Sequence, residues 1–180
     1  MDSRVIPVDW LPKYTYQDYE SWEGDWELIE GIPYSLLPSP KRKHQAASRN
    51  LVRLCMDALK CAGGNCNCEV FFELDWIINP NTVVRPDVMV VCGAFEDDFL
   101  KFPPALVAEV TSARTQMADR NLKYKLYESQ KVPFYLIADP DRKTIDVYEL
   151  VGQSYQRVET NGFNLQKDCI IELDLSSMWP

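Results

Sequence analysis

Histidine is almost missing from this chain of 180 residues, with His44 the only one. A Ser–His–Asp or Cys–His triad needs a positioned imidazole, so one histidine leaves little room for that chemistry. The patterns G-x-x-x-x-G-K-[ST], G-x-G-x-x-G and G-x-S-x-G are also absent, which removes the usual signatures of nucleotide cradles and serine hydrolases. No stretch approaches the roughly 18 consecutive apolar residues of a membrane span. The opening MDSRVIPVDW lacks the apolar run of a signal peptide, so the expectation is a cytoplasmic protein with no membrane contact. Cations are scarce as well, with 19 Lys and Arg against 27 Asp and Glu and a net charge of −8. A general nucleic-acid binder carries the opposite balance, so contact with a polyanion must be local or metal-assisted.

What is present describes a folded protein. Hydrophobic residues make up 46% of the chain and aromatics 12%, which excludes disorder. The length suits one domain across residues 1–180, with a core at about 14–160. Six cysteines stand at 55, 61, 66, 68, 92 and 169. The C-x4-C-x-C spacing of 61, 66 and 68 fits no common zinc pattern, and Cys55 and Cys92 fall on apolar faces. Without a secretory signal, free thiols are expected over disulfides.

The hydrophobic pattern gives an order of elements. A short amphipathic helix is expected over 14–22, and two apolar runs around Glu30-Gly31 predict a hairpin over 26–37. The prolines of 38–43 mark a loop. Ala47, Leu51, Leu54, Cys55, Ala58 and Leu59 recur at helical spacing, which predicts a helix over 44–61 stopped by Gly63-Gly64. Strands 69–78 and 83–91, turning at Asn79-Pro80-Asn81, read as an antiparallel hairpin. The near-continuous apolar run 105–110 reads as a central strand covered on both faces. A second helix, 115–130, carries Met117, Leu122, Leu126 and Tyr127 on its apolar side. Strands 134–138, 145–150 and 155–158 follow, with a last one at 169–173. The helix-linked strands 105–110 and 134–138 should be parallel. The class is α/β (α+β): a mixed central sheet flanked by helices, with an N-terminal hairpin and a C-terminal β-meander.

Two acids sit where acids are costly. Asp87 interrupts Val83 to Val91 just after Pro86, and Glu109 closes Ala105-Leu106-Val107-Ala108. Ionised in such runs, each costs several kcal/mol unless paired or bound to a cation. Singly, each reads as half of a structural ion pair with Arg85 or Lys123. Together on neighbouring strands they would repel, and a bound Mg²⁺ or Mn²⁺ would resolve the repulsion. Asp119 and Lys123 are four apart on the second helix and share a face. They form an ordinary i,i+4 pair, or Lys123 reaches over the metal site to act on a water or a phosphate. Lys41, Arg42 and Lys43 precede the first long helix, either as a solvated basic loop or as a phosphate-binding group. His44 either faces the same cleft or serves as a cap or surface residue, and Glu27 is either a third acid for the cleft or a packing or turn residue of its hairpin strand.

The segments WELIEG (26–31), PSPKRKHQ (38–45), VRPDVMVV (84–91), PPALVAEVTS (103–112) and ADRNLKYKLYESQKVPFYLIADP (118–140) resemble a widespread bacterial family of restriction-endonuclease-like proteins. That family is largely of unknown function and is placed in the PD-(D/E)XK phosphodiesterase superfamily. The resemblance implies an αβββαβ core and Mg²⁺-dependent hydrolysis of a phosphodiester in nucleic acid, DNA in the first instance. Carried over by position, Asp87 matches the first acid and Glu109 the second, both as metal ligands. Thr111 stands where the superfamily's lysine usually does, and Lys123 on the following helix takes that place as the third catalytic residue. Glu27, His44 and Asp119 match further family positions. Lys131 replaces a glycine usual in the family. Pairing as a homodimer would let such an enzyme cut both strands. The alternative is a non-catalytic binding or interaction protein of the same fold.

Overall fold

The computed structural model describes residues 10–36, 40–63, 66–112 and 118–179. The readings that involve Pro38, Ser39, Gly64 and Met117 therefore lie outside the described residues. The apolar stripe of the first long helix forms as its spacing dictates: α2 (Arg42–Ala62) buries Ala47, Leu51 and Cys55 and ends at Gly63 with φ +79°. Helix begins at Arg42 rather than at 44, so Arg42 and Lys43 occupy its first turn instead of a preceding loop. The short helix α1 is only Tyr16–Tyr19, shorter than 14–22. Thr15 and Asp18 close a capping box around it, and Tyr16 N–H bonds to Pro80 instead of extending a helix backwards.

β1 (Trp26–Ile29) and β2 (Ile32–Ser35) pair around Glu30-Gly31, both at positive φ. That is the backbone of a type I′ hairpin turn. The next hairpin departs from expectation. Each of its two strands is broken, giving β3 (Cys68–Phe71), β4 (Trp76–Asn79), β5 (Thr82–Val84) and β6 (Val88–Cys92). The half near the turn, β4 and β5, joins the first hairpin in a sheet ordered β2-β1-β5-β4. The far half, β3 and β6, enters a six-stranded sheet instead. The second strand breaks at Arg85-Pro86-Asp87, where proline offers no N–H to a ladder.

The larger sheet runs β10-β9-β8-β7-β6-β3, with β7 (Leu106–Val110), β8 (Phe134–Asp139), β9 (Thr144–Val151) and β10 (Ser154–Val158). β7 and β8 are parallel, and the other neighbours are antiparallel, so the sheet is mixed as expected. Every residue of β7 is buried, in keeping with a central position. Alternation divides the core. Val88, Val90, Leu106, Ala108 and Leu136 share one cluster with the α2 stripe. Met89, Val107, Tyr135 and Ile137 share another with Trp76 and Tyr127.

The second helix is two-part. Ala118–Lys123 form a π-helical stretch and α3 (Tyr124–Ser129) continues it. One strand escaped the sequence reading: β11 (Gly162–Gln166) pairs with β12 (Cys169–Glu172). Its signal was there in the alternation of buried Phe163 and Leu165 with exposed Gly162 and Asn164. The expectation of free thiols is corrected too. Cys66 is bonded to Cys169 and Cys68 to Cys92, while Cys55 (buried) and Cys61 (exposed) are free. Cys68 and Cys92 lie opposite each other on β3 and β6, and β12 brings Cys169 from a distant part of the chain. No local spacing rule could have revealed that meeting.

Lys131, just past α3, holds φ +62° in the left-handed region. A side chain there is disfavoured by roughly 1–2 kcal/mol, and glycine is the usual residue after a helix. Lys131→Gly should raise stability by about 0.5–1 kcal/mol in urea unfolding, less than the full strain because glycine also loosens the unfolded chain.

Candidate active site

Antiparallel pairing of β6 with β7 sets Val88 opposite Ala108, which brings Asp87 and Glu109 to the same end of adjacent strands. Glu109, on the Val107 side of β7, is buried; its Oε1 accepts hydrogen bonds from Tyr127 OH at 2.7 Å and Lys123 Nζ at 3.0 Å. The same ammonium lies 2.8 Å from Glu27 Oε1, which also accepts from the backbone N–H of Arg85 at 2.8 Å. Three elements thus meet on one buried lysine: β1, β7 and the π-helical stretch. Asp87 follows Pro86 at the strand break. Its Oδ2 accepts from Val110 N–H at 2.6 Å and stands 3.3 Å from His44 Nε2. His44 comes from the first turn of α2, on the other side of the sheet.

The acids act on one another. Burial pushes the Glu109 carboxyl well above the usual range; Lys123 opposes that, while Asp87, Asp119 and Glu27 add to it. For Lys123, burial works against the charge, but Glu109, Glu27 and Asp119 outweigh it and hold the ammonium well above its ordinary value. Burial and Glu109 keep the Tyr127 phenol protonated, as its hydrogen bond to that carboxylate requires. Among the described residues, Lys123 acts on Glu27, Glu109 and Asp119, and His44 on Asp87 and Asp119.

The structure gathers Glu27, His44, Asp87, Glu109, Asp119 and Lys123 around one end of the sheet. It does not bring the basic run to them as a group: Lys43 Nζ pairs with Asp141 at 2.7 Å, and Lys41, Arg42 and Lys43 are all exposed. Asp119 is buried, its main-chain oxygen accepting from Tyr135 OH at 2.9 Å. Arg85 does not pair with Asp87. Its guanidinium turns to Asp75 at 2.6 Å and Asp25 at 2.9 Å, with Tyr19 completing the cluster. Thr111 is buried and bonds through N–H and hydroxyl to the Ala138 carbonyl, so it ties β7 to β8. Tyr127 was missed in the sequence as a member of the site, although it stands four residues after Lys123, where a helix puts neighbours. Among the described residues, with Cys66, Cys68, Cys92 and Cys169 tied up in disulfides, no group of three His, Cys, Asp or Glu side chains is placed to hold a metal ion.

This architecture matches a nuclease-like fold. The chain is a member of the Uma2 family, described as "Putative restriction endonuclease", whose profile matches residues 15–177. A crystal structure of "a putative nuclease belonging to DUF820" from Anabaena variabilis is similar with a TM-score of 0.71 at 18% identity. The match covers 91% of this chain and 98% of that one, and it shows the shared fold. An uncharacterized protein of Synechocystis sp. is 27% identical over 147 residues, 77% of this chain and 75% of that protein. No helix among the described residues is long and apolar enough to cross a membrane.

The single histidine offers a clean readout. Burial lowers its affinity for the proton, but the hydrogen bond and charge of Asp87, with Glu73 and Asp119 behind, raise the net pKa above 6.5. A raised folded value means that His44 stabilises the protein fully below the unfolded value, and that this contribution is lost as pH rises through the folded one. In chelator-treated protein, NMR titration should show one imidazole midpoint above 6.5, moving down in Asp87→Asn. Lys123→Ala should destabilise by about 3–5 kcal/mol, because it strands Glu27 and Glu109 in the interior. Denaturant unfolding checks this, and an effect below about 1 kcal/mol would show the ammonium to be dispensable.

Proposed function

We propose that this protein is a metal-dependent phosphodiesterase acting on nucleic acid, DNA in the first instance. The observation that carries the reading is the gathering of carboxylates at the end of β6 and β7, where Asp87, Asp119 and Glu27 all raise the proton affinity of Glu109. Glu27, Glu109 and Asp119 act on the buried Lys123 ammonium, Asp87 adds to the negative field at Glu109, and a bound cation there would favour the ionised carboxylates. Asp87 and Glu109 would hold Mg²⁺ or Mn²⁺. Val110 N–H and His44 reach Asp87 through Oδ2, and Tyr127 and Lys123 reach Glu109 through Oε1. An all-oxygen pair of carboxylates suits Mg²⁺, which commonly takes one or two of them and fills the other positions with water and substrate phosphate. When bound, such an ion acidifies water and offsets charge on a phosphoryl oxygen.

The protein's own groups have distinct tasks in this reading. Val110 N–H and His44 hold the Asp87 carboxylate in place. Tyr127 and Lys123 fix Glu109 by one oxygen. Lys123 also supplies charge for a phosphate where Thr111 cannot, and Glu27 orients it. Asp119 adds to the negative field that attracts the ion. Lys41 and Arg42, exposed at the start of α2, would meet the nucleic-acid backbone near His44, with Lys43 joining them on release from Asp141.

The test is a cleavage screen over single- and double-stranded DNA and RNA with Mg²⁺ or Mn²⁺. Asp87→Asn and Glu109→Gln should each lower metal-dependent cleavage roughly 100-fold or more while the protein stays folded. A second reading, a non-catalytic binding protein of this fold, is favoured by Lys123 already occupying the space between Glu27 and Glu109. Calorimetric titration with Mg²⁺ separates the two. Binding by wild type that Asp87→Asn loses supports the enzyme, and equal behaviour supports the second reading.

A further inference from the structure

Far along the chain from those acids, four sulfurs meet at the opposite end of β6. Cys66 stands two residues before Cys68, which opens β3. Cys92 lies opposite Cys68 across the β3–β6 pair, and Cys169 opens β12. They are joined as Cys66–Cys169 and Cys68–Cys92. Disulfide pairing demands only that each cysteine meet its own partner. Here the two pairs also touch, with Cys68 Sγ 3.7 Å from Cys169 Sγ. A zinc ion bound tetrahedrally to thiolates at about 2.3 Å sets its sulfurs about 3.8 Å apart, the same spacing. Cys169 is fully buried and the other three partly so, which shields the cluster. Beside it runs a groove lined by Glu69, Asp97 and Asp98 together with Asn67, an acidic approach for a cation.

We propose that the reduced form of this cluster is a tetrathiolate zinc site, which clamps the same strands that the two disulfides clamp here. In the oxidised state the sulfurs carry no charge and ligate nothing. Two equivalents of a cellular dithiol reduce both bonds, giving four thiols and two oxidised dithiols. Zinc then takes the four sulfurs as thiolates and releases four protons. Either clamp ties β3, β6 and β12 together at the same place. Four soft sulfur ligands select zinc over Mg²⁺, so this site is chemically separate from the carboxylates of the proposed nuclease centre.

The experiment uses the full chain, reduced, freed of reductant without air, and titrated with Co²⁺ as a spectroscopic stand-in. The expected result is an intense sulfur-to-cobalt charge-transfer band that saturates at about one equivalent and is displaced by Zn²⁺. Carboxylates cannot produce that band, so Asp87→Asn should leave it unchanged even if the nuclease reading fails. Cys92→Ser and Cys169→Ser should reduce it severalfold or more, while Cys61→Ser should keep it. No charge-transfer band from reduced wild type would overturn the proposal without reference to any variant. A band that survives unaltered in both Cys92→Ser and Cys169→Ser would overturn it as well.

Discussion

The site depends on a buried ammonium held between two carboxylates. Lys123 lies 2.8 Å from Glu27 and 3.0 Å from Glu109, and all three side chains are removed from water. Desolvation of such a group is expensive, and only good geometry with further hydrogen bonds offsets it. Tyr127 OH and the Arg85 N–H supply those bonds, one on each carboxylate. The N-terminal hairpin, the central strand and the second helix are therefore locked to each other through one lysine. None of the three could move without exposing a charge to an apolar surrounding.

The break at Arg85-Pro86-Asp87 makes that arrangement possible. An unbroken strand from Val83 to Val91 would have run through one sheet. By leaving the ladder at Pro86 the chain passes from the four-stranded sheet to the six-stranded one. Arg85 N–H is then free to cap Glu27, and Asp87 is free to cap Val110. The guanidinium of Arg85 goes to Asp75, on the partner strand's own break, so the two interruptions are stitched together. A local rule about proline in strands thus has a consequence for the chemistry, because it sets both acids at one end of neighbouring strands.

Much of this was legible from residue order. The helix stripe of Ala47, Leu51 and Cys55, the Glu30-Gly31 turn, the buried strand at Leu106–Val110 and its parallel partner all follow local periodicity. Asp87, Glu109 and Lys123 stood out because charges are costly where they lie. Less legible were contacts made through polar tips. Tyr127 reads as a core aromatic, and its ring does pack on Trp76 and Tyr135, yet its hydroxyl fixes Glu109. Arg85 sits next to Asp87 in sequence and pairs elsewhere, since strand alternation turns neighbouring side chains apart.

Amino-acid order by itself determined which segments become helix or strand, because those choices rest on periodicity and on proline or glycine within a few residues. It also determined which charges needed a partner. Only the tertiary structure decided who the partners are. Glu27, Glu109 and Lys123 come from separate segments, as do Cys66, Cys92 and Cys169, and their meeting depends on how two sheets and a helix close over each other. Long-range pairing of that kind follows from packing in three dimensions, and spacing along the chain carries no record of it.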